Sequence, residues 1–299
     1  MNIIKHKYVF LGFSAALVLA SLVALGKFGL KTGIDFKGGA LWQIRQGSGS
    51  VVMNEASLSE FLSKESTDKN FAISPAGENS YLVRLPAISE ADHQRYLGDL
   101  RMKFQSVDEL QFNSIGPVVG QELKQKSYWA IFYVIIGISL YVTYAFRKVS
   151  FPVKSWKYGV ITLITLIHDV IIPAGFFALL GWKMGVEIDT NFVVALLTVM
   201  GFSVHDTIVV FDRIRENLLN QSGKTSFSDI VNESINQTFA RSINTSLTVL
   251  IVLALLFFFG PATLKYFTLT LFIGIAAGAY SSIFVASPLL TVWQKLSKV

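Results

Sequence analysis

The sequence contains no cysteine. That excludes a disulfide framework, a thiolate metal site and a cysteine nucleophile, and leaves every cellular compartment open. Charge is the second shortage. Asp, Glu, Lys and Arg make up 15% of the 299 residues against 52% hydrophobic residues, and the mean hydropathy is +0.50. A long polar stretch is included in that average, so the remainder is far more apolar than a soluble core, as in a polytopic membrane protein. The net charge of +6 is distributed wrongly for nucleic acid. Lys and Arg gather at the ends of apolar runs and form no patch interleaved with aromatics. The lipid bilayer, and no nucleic acid, is the expected medium.

Six segments have the roughly 20 apolar residues that a spanning helix needs: 8–27, 128–146, 157–181, 190–211, 242–260 and 264–290. The first is about twice as long as a signal-peptide core and lacks an A-x-A site, so it reads as an uncleaved anchor. Short-loop cations set the orientation. Lys5 and Lys7, then Arg147, Lys148, Lys154 and Lys157, then Arg213, Arg215, Lys224 and Arg241, and finally Lys295 and Lys298 fall on one side. Lys183 and Lys265 fall on the other. The bias puts both termini in the cytoplasm and residues 28–127 outside. The domains expected are therefore 1–27, a first transmembrane helix; 28–127, an extracytoplasmic (periplasmic) domain; and 128–299, a five-helix membrane domain.

The 28–127 segment reads as α+β. "GALWQIRQ" alternates as a half-buried strand; "NEASLSEFLSKES" starts at an Asn54 cap and puts Leu58, Phe61 and Leu62 on one face. "NFAIS" and "YLVRLP" flank the turn "PAGENS". A Ser89-x-x-Asp92 box opens a helix with a Tyr96, Leu97, Leu100 stripe, and "VDELQFNSIG" closes as a strand. The order βαββαβ is that of a ferredoxin-like split unit. His93, on the polar helix, is expected at the solvated surface. Between the fourth and fifth spans, Phe227, Ile230, Val231 and Ile235 recur at helical spacing. They make either a cytoplasmic amphipathic helix near 224–238 lying on the membrane or an ordinary helical hairpin packed on its neighbours.

Ionisable groups lie within three spans. Asp169 is roughly 18 Å beyond Tyr158 along the third, near mid-bilayer, on one face with Thr162 and Thr165. Pro173 leaves the Asp169 carbonyl without its helical donor. Asp206 lies two turns inside Arg213, roughly 10 Å deep. An unpaired aspartate there costs about 3 kcal/mol, less if it is protonated or met by a cation or cavity water. Asp212 and Arg213 sit where headgroups begin and read as an interfacial pair. Arg241, Asn244, Thr245 and Thr248 make one polar stripe on the fifth span. Arg241 is either a snorkelling topology residue or the cation that Asp206 alternately binds and releases. His168 and His205 each precede an aspartate. Adjacent residues on one helix face different ways and no third helix offers a matching ligand, so hydrogen bonding or proton relay is expected of them rather than a metal site. An intramembrane aspartyl protease would need Asp169 and Asp206 to share a proton. Gly274, Gly278, Ser281 and Ser282 form a small-residue packing face on the sixth span.

Several stretches together carry a resemblance: "GIDFKGG" (33–39), "SIGPVVGQEL" (114–123), "HDV" in the third span, "GFSVHDTIVVFDRIREN" (201–217), "RSINTS" (241–246) and "FTLTLFIGIAAGAYSSIFVASPLL" (267–290). The chain resembles the SecD/SecF family of protein-export membrane proteins, in the resistance-nodulation-division superfamily, over nearly its whole length. The resemblance implies a non-enzymatic auxiliary subunit of the Sec export machinery in the bacterial inner membrane. It implies pairing with SecD into a pseudo-symmetric bundle beside the SecYEG channel, with YajC and unfolded exported polypeptides as further partners. No cofactor is implied beyond a coupling ion, the proton. The family's membrane aspartate falls on Asp206 and its arginine on Arg241, with Asp169, His168, His205, Asn244 and Thr245 along the proton path. Where the family usually has Asn, this chain has His205, which leaves proton and sodium both open. Gly33, Gly38, Gly39, Gly116, Pro117 and Gly120 suit tight junctions or hinges that couple the membrane helices to the outer domain. A small-molecule or lipid transporter and a passive scaffold are the competing functions.

Overall fold

A computed structural model describes residues 2–47, 52–65, 71–77, 79–147, 153–220 and 225–296. Lys148, Lys224, Lys298 and Glu78 of the hairpin turn lie outside them. The chain divides into two compact units, one of Thr32–Tyr128 and one of Met1–Lys31 with Trp129–Val299.

In the first unit β1 (Gly39–Gln46), β2 (Ala72–Pro75), β3 (Ser80–Leu85) and β4 (Val107–Ile115) form an antiparallel sheet in the order β2-β3-β1-β4. Alternation puts Ala40, Trp42 and Ile44 of β1 wholly inside. Two helices pack on this face, α3 (Glu55–Glu65) through Leu58 and Leu62, and α4 (Glu90–Phe104) through Leu100 and Phe104, and Val83 and Leu85 of β3 and Val107 of β4 join the same core. Both carry the expected caps. Asn54 Oδ1 accepts from the Ser57 N–H at 2.8 Å, and Ser89 Oγ from the Asp92 N–H at 3.2 Å.

His93 departs from expectation: it is buried, not solvated. Its ring lies flat on Phe112 at 3.6 Å, and Nε2 is 2.6 Å from Glu109 Oε2, which also accepts from Trp42 Nε1 at 2.8 Å. His93 precedes Tyr96 and Leu97 by three and four residues and so extends their inward stripe. The exposed Glu90 carboxyl is held below its ordinary value, first by the hydrogen bond from Gln94 and then by that with His93.

A short helix, α2 (Ile34–Lys37), precedes β1 within "GIDFKGG". Gly38 and Gly39 follow it with φ of +79° and +137°. A Cβ on Gly38 would lie 2.7 Å from Pro117 Cα, and one on Gly120 would lie 2.8 Å from the Gly38 nitrogen. These glycines make a close-packed junction between α2 and the start of α5 (Pro117–Ala145). Gly33 is extended, its carbonyl accepting the Phe36 and Lys37 N–H groups, and a Cβ on Gly116 would meet open space.

The second unit is helical. Among the described residues, six helices are long and apolar enough to cross a membrane: Ile4–Phe28, Pro117–Ala145, Ser155–Met184, Thr190–Asn220, Phe227–Phe259 and Lys265–Leu296. They contain α1 (Lys7–Phe28), α5, α6 (Ser155–Met184), α7 (Thr190–Asn220), α8 (Phe227–Phe259), α9 (Lys265–Ser281) and α10 (Ser287–Leu296), the last two joined by a π-helical turn, Ser282–Ala286. The chain is therefore a multi-pass membrane protein. α6, α7 and the last span are the most enclosed, while α1, α5 and α8 leave broad apolar faces uncovered. Partners keep one offset at Ser14–His168 and Ser21–Gly175, and another at Val199–Gly274 and Ser203–Gly278. So α1 runs parallel to α6, and α7 to α9, as the alternation of crossings requires.

The separate surface helix expected near 224–238 does not form. Neither Gly nor Pro interrupts residues 227–259, and one helix runs through. Phe227, Val231 and Ile235 join a core with Ile3, Ile4, Val210, Phe211 and Ile214, while Asn232 Oδ1 accepts from the Ile3 and Ile4 N–H groups at 2.9 and 3.4 Å. This is the packed alternative.

Candidate functional site

The Asp169 side chain is completely buried at the meeting of four helices. Its Oδ2 accepts hydrogen bonds from Ser203 Oγ of α7 at 2.5 Å and Ser281 Oγ of α9 at 2.7 Å. Its Oδ1 is 2.7 Å from Nδ1 of His168, whose Nε2 is 2.5 Å from Ser14 Oγ of α1. With a neutral ring this fixes a direction: the Ser14 hydroxyl donates to Nε2, and Nδ1–H donates to the carboxylate. Thr162 and Thr165 share the buried face but turn their hydroxyls to backbone carbonyls of their own helix, at 2.9 Å to Tyr158 and Thr162. Gly278 permits the close approach, because a Cβ there would lie 3.2 Å from Ser203 Cβ and 3.6 Å from Asp169 Oδ2. The small-residue face of α9 thus does more than pack. Ser281 completes the carboxylate's shell; Gly274 faces Val199, and Ser282 bonds the Ala279 carbonyl.

Asp206 is 2% exposed, and Ser246 Oγ of α8 donates to its Oδ2 at 3.0 Å. Arg241 does not meet it. Among the described residues no hydrogen bond or ion pair joins the two. Arg241, Asn244, Thr245 and Thr248 are all exposed, and Thr245 and Thr248 bond carbonyls of their own helix at 2.9 and 2.8 Å. The helical wheel explains the correction. Ser246 faces Asp206, and Arg241, five residues earlier, points about 140° away. The polar seam against α7 is Ser234, Thr238, Ser242 and Ser246, spaced by four and all buried. Its far end is fixed by Asn217, whose Nδ2 donates to Ser234 Oγ at 2.8 Å. Arg241 instead lines a polar cavity of about 360 Å³ with Asp212, Arg213, Glu216, Gln237 and Thr238. The expected Asp212–Arg213 pair is exchanged for others: Arg213 meets Glu216 at 2.7 Å and Gln237 at 2.6 Å, and Arg215 meets Asp212 at 3.4 Å. Helical spacing of three, not adjacency, brings those ions together.

His205 is exposed on this chain, turned away from the buried face of Asp206, while His168 is enclosed. Of the residues expected on one path, the fold gathers Asp169 and His168 in one shell, buries Asp206 close by on α7, and leaves Arg241, Asn244, Thr245 and His205 outward. Sequence reasoning misses Ser14, Ser203 and Ser246. The spacing of four from Ser234 to Ser246 is the available signal, overshadowed by the stripe led by Arg241.

Residues 98–296 match the family described as Protein export membrane protein SecD/SecF, C-terminal. The Protein translocase subunit SecF of Thermobaculum terrenum is 43% identical, with 98% of this chain and 94% of that protein aligned. That of Desulfurispirillum indicum is 40% identical over 94% of this chain and 88% of that protein. Among solved structures, SecDF from Thermus thermophilus, titled a translocon-associated membrane protein, superposes with a TM-score of 0.82 at 32% identity, covering 99% of this chain and 39% of that one. Six long apolar helices, buried carboxylates on the third and fourth of them, and identity along almost the entire length converge: the chain belongs to the SecF family of protein translocase subunits.

Proposed function

We propose that this chain is a non-catalytic auxiliary subunit of Sec-dependent protein export, driven by the proton motive force in the bacterial cytoplasmic membrane. Both termini lie in the cytoplasm and residues 28–127 outside, where the order β2-β3-β1-β4 with two helices supports a ferredoxin-like domain. Asp206 carries the proton. The observation that bears most weight is a carboxylate buried within an enclosed, membrane-spanning helix, whose hydrogen-bond partner among the described residues is the neutral Ser246 rather than a cation. Such a group responds to whatever approaches it. The exposed stripe of Arg241, Asn244, Thr245 and Thr248 and the exposed His205 are surfaces for a second half of the bundle. A SecD subunit supplies that half, a role favoured by the solved SecDF chain, of which this one spans 39%. Asp169 and His168 hold α1, α6, α7 and α9 in register around the path, and Arg241 approaches Asp206 only when α8 turns.

One elementary charge falling through 100 mV releases about 2.3 kcal/mol, enough to bias helix packing. SecYEG, YajC and the unfolded exported chain are the remaining partners. The test is export in energised membrane vesicles bearing the partner complex. Asp206→Asn abolishes the part that disappears when the proton gradient is collapsed and spares the ATP-driven part. Undiminished gradient-dependent export in that variant refutes the proton role and leaves a scaffold.

A further inference from the structure

The end of the bundle where α1 and α6 begin and α10 finishes is short of anions. The sequence has no Asp or Glu in residues 1–34, 123–168 or 234–299, the stretches that supply all three helix ends. A lysine at a helix end ordinarily snorkels into water as a topology signal. Lys7 and Lys157 do not: they are 5% and 9% exposed. Lys7 Nζ donates to Thr291 Oγ1 at 3.3 Å, and among the described residues no ion pair meets it. Lys295 stands one turn beyond Thr291 on α10, and its charge opposes that of Lys7. The Lys157 ammonium lies over Trp293 and Trp156, 5.5 and 5.9 Å from the ring centres, and those two indoles meet edge to face at 5.4 Å. Helical spacing puts the two buried lysines on one seam. Lys7 precedes Ser14 by seven residues and Lys157 precedes His168 by eleven, close to two and three whole turns. Ser14 and His168 bond each other between α1 and α6. Lys7 and Lys157 therefore face the same boundary, about 6 Å apart in depth.

One turn deeper than Lys7 the same boundary opens into an apolar groove of about 320 Å³, with Leu11, Ala15, Ile164 and Val285 in its wall. Ile164 is 43% exposed, so the groove opens sideways, toward lipid. Its polar side chains, Ser14 and His168, bond each other, so an occupant gains burial and needs no hydrogen bond. We propose that this corner binds one anionic phospholipid from the leaflet on the side of the termini. Lys7, Lys157 and Lys295 hold its phosphate, and one acyl chain lies in the groove between α1 and α6. The complementarity is double. Three ammonium groups and two indoles meet the headgroup, where a phosphate supplies the counter-charge that these stretches of sequence lack. The groove then continues from that cradle in the direction the chain must take. A free anion would use only the lysines, and a neutral lipid only the groove. The site goes beyond the export function proposed above and does not depend on which group carries the proton.

The test uses the full chain with its partner complex, purified in detergent and stripped of lipid. It is titrated with phosphatidylglycerol or with phosphatidylcholine, and bound lipids are counted by native mass spectrometry. The wild type should take up one phosphatidylglycerol at concentrations where phosphatidylcholine does not bind. A lysine beside an anionic headgroup contributes about fivefold in affinity. Lys7→Gln combined with Lys157→Gln should therefore weaken that first event about 25-fold and leave phosphatidylcholine binding unchanged. Lys7→Arg combined with Lys157→Arg keeps the charge and should keep the lipid. Ala15→Trp, which fills the groove, should lose the same event with every lysine in place. Unaltered phosphatidylglycerol binding by either the glutamine variant or Ala15→Trp overturns the site. Loss in the arginine variant as well overturns it too, because packing rather than charge would then be responsible. Displacement of the lipid by excess inorganic phosphate overturns it in favour of a free anion. Release of the partner from the Ala15→Trp complex overturns it in favour of a partner helix lying in the groove.

Discussion

Replacing Asp169 by alanine and by asparagine separates its architecture from its charge. Both variants are neutral, so both remove the cost of holding a carboxylate out of water. Asparagine keeps an oxygen where Ser203 and Ser281 donate, and its amide nitrogen can donate to His168 Nδ1 if the ring takes the other tautomer and Nε2–H turns to Ser14. Alanine offers nothing to three donors. Ser281 has a second acceptor in the Gly278 carbonyl at 3.2 Å, so the loss falls on Ser203 and His168. Interhelical hydrogen bonds in membranes contribute about 0.6 kcal/mol on average and up to about 1.7. The alanine variant should therefore be about 1–3 kcal/mol less stable than the asparagine variant. At about 2–4 °C per kcal/mol for a chain of this size, that is about 2–12 °C. The assay heats detergent-solubilised protein in steps and measures the monodisperse fraction by size exclusion. Coincident melting of the two variants would refute a role for Asp169 in joining α6 to α7, α9 and α1.

Two further outcomes follow from packing and burial. A Cβ at Gly274 would collide with Val199 Cγ2 and lie 2.7 Å from Cγ1, side-chain atoms only; Gly274→Ala should cost about 1–3 kcal/mol and be largely rescued by Val199→Ala, read as recovered heat resistance in the double variant. In the sheet unit, Glu109→Ala strands the buried donors of Trp42 and His93. It should destabilise that unit by about 2–5 kcal/mol, seen as faster limited proteolysis within 32–128, with Glu109→Gln intermediate.

Regular periodicity makes most of the architecture legible. Helix caps at Asn54 and Ser89, the inward residues of β1 and six apolar runs lie where their spacing puts them. Rotation about a helix is harder to read. Arg241 leads a polar stripe as regular as the one through Ser246, and only the neighbouring helix decides which is inside. His93 defies the character of its helix for a related reason. That helix is polar on average, yet one side chain completing an apolar stripe is buried if a carboxylate and an aromatic ring wait there. The convergence of Ser14, Ser203 and Ser281 on the pair His168 and Asp169 joins residues far apart in the chain, and no local pattern announces it. The π-helical turn at Ser282–Ala286 likewise has no signature in composition.

The glycines around α2 have a mechanical consequence. Gly38 lies against the backbone of Pro117, and Gly120 against that of Gly38, with no side chain between. From Pro117 the same helix continues unbroken to Ala145, past the boundary of the sheet unit at Tyr128. Backbone against backbone leaves no room for the methyl group that any other residue would add, so Gly38 and Gly120 hold α2 and the first turn of α5 at a separation that only glycine permits.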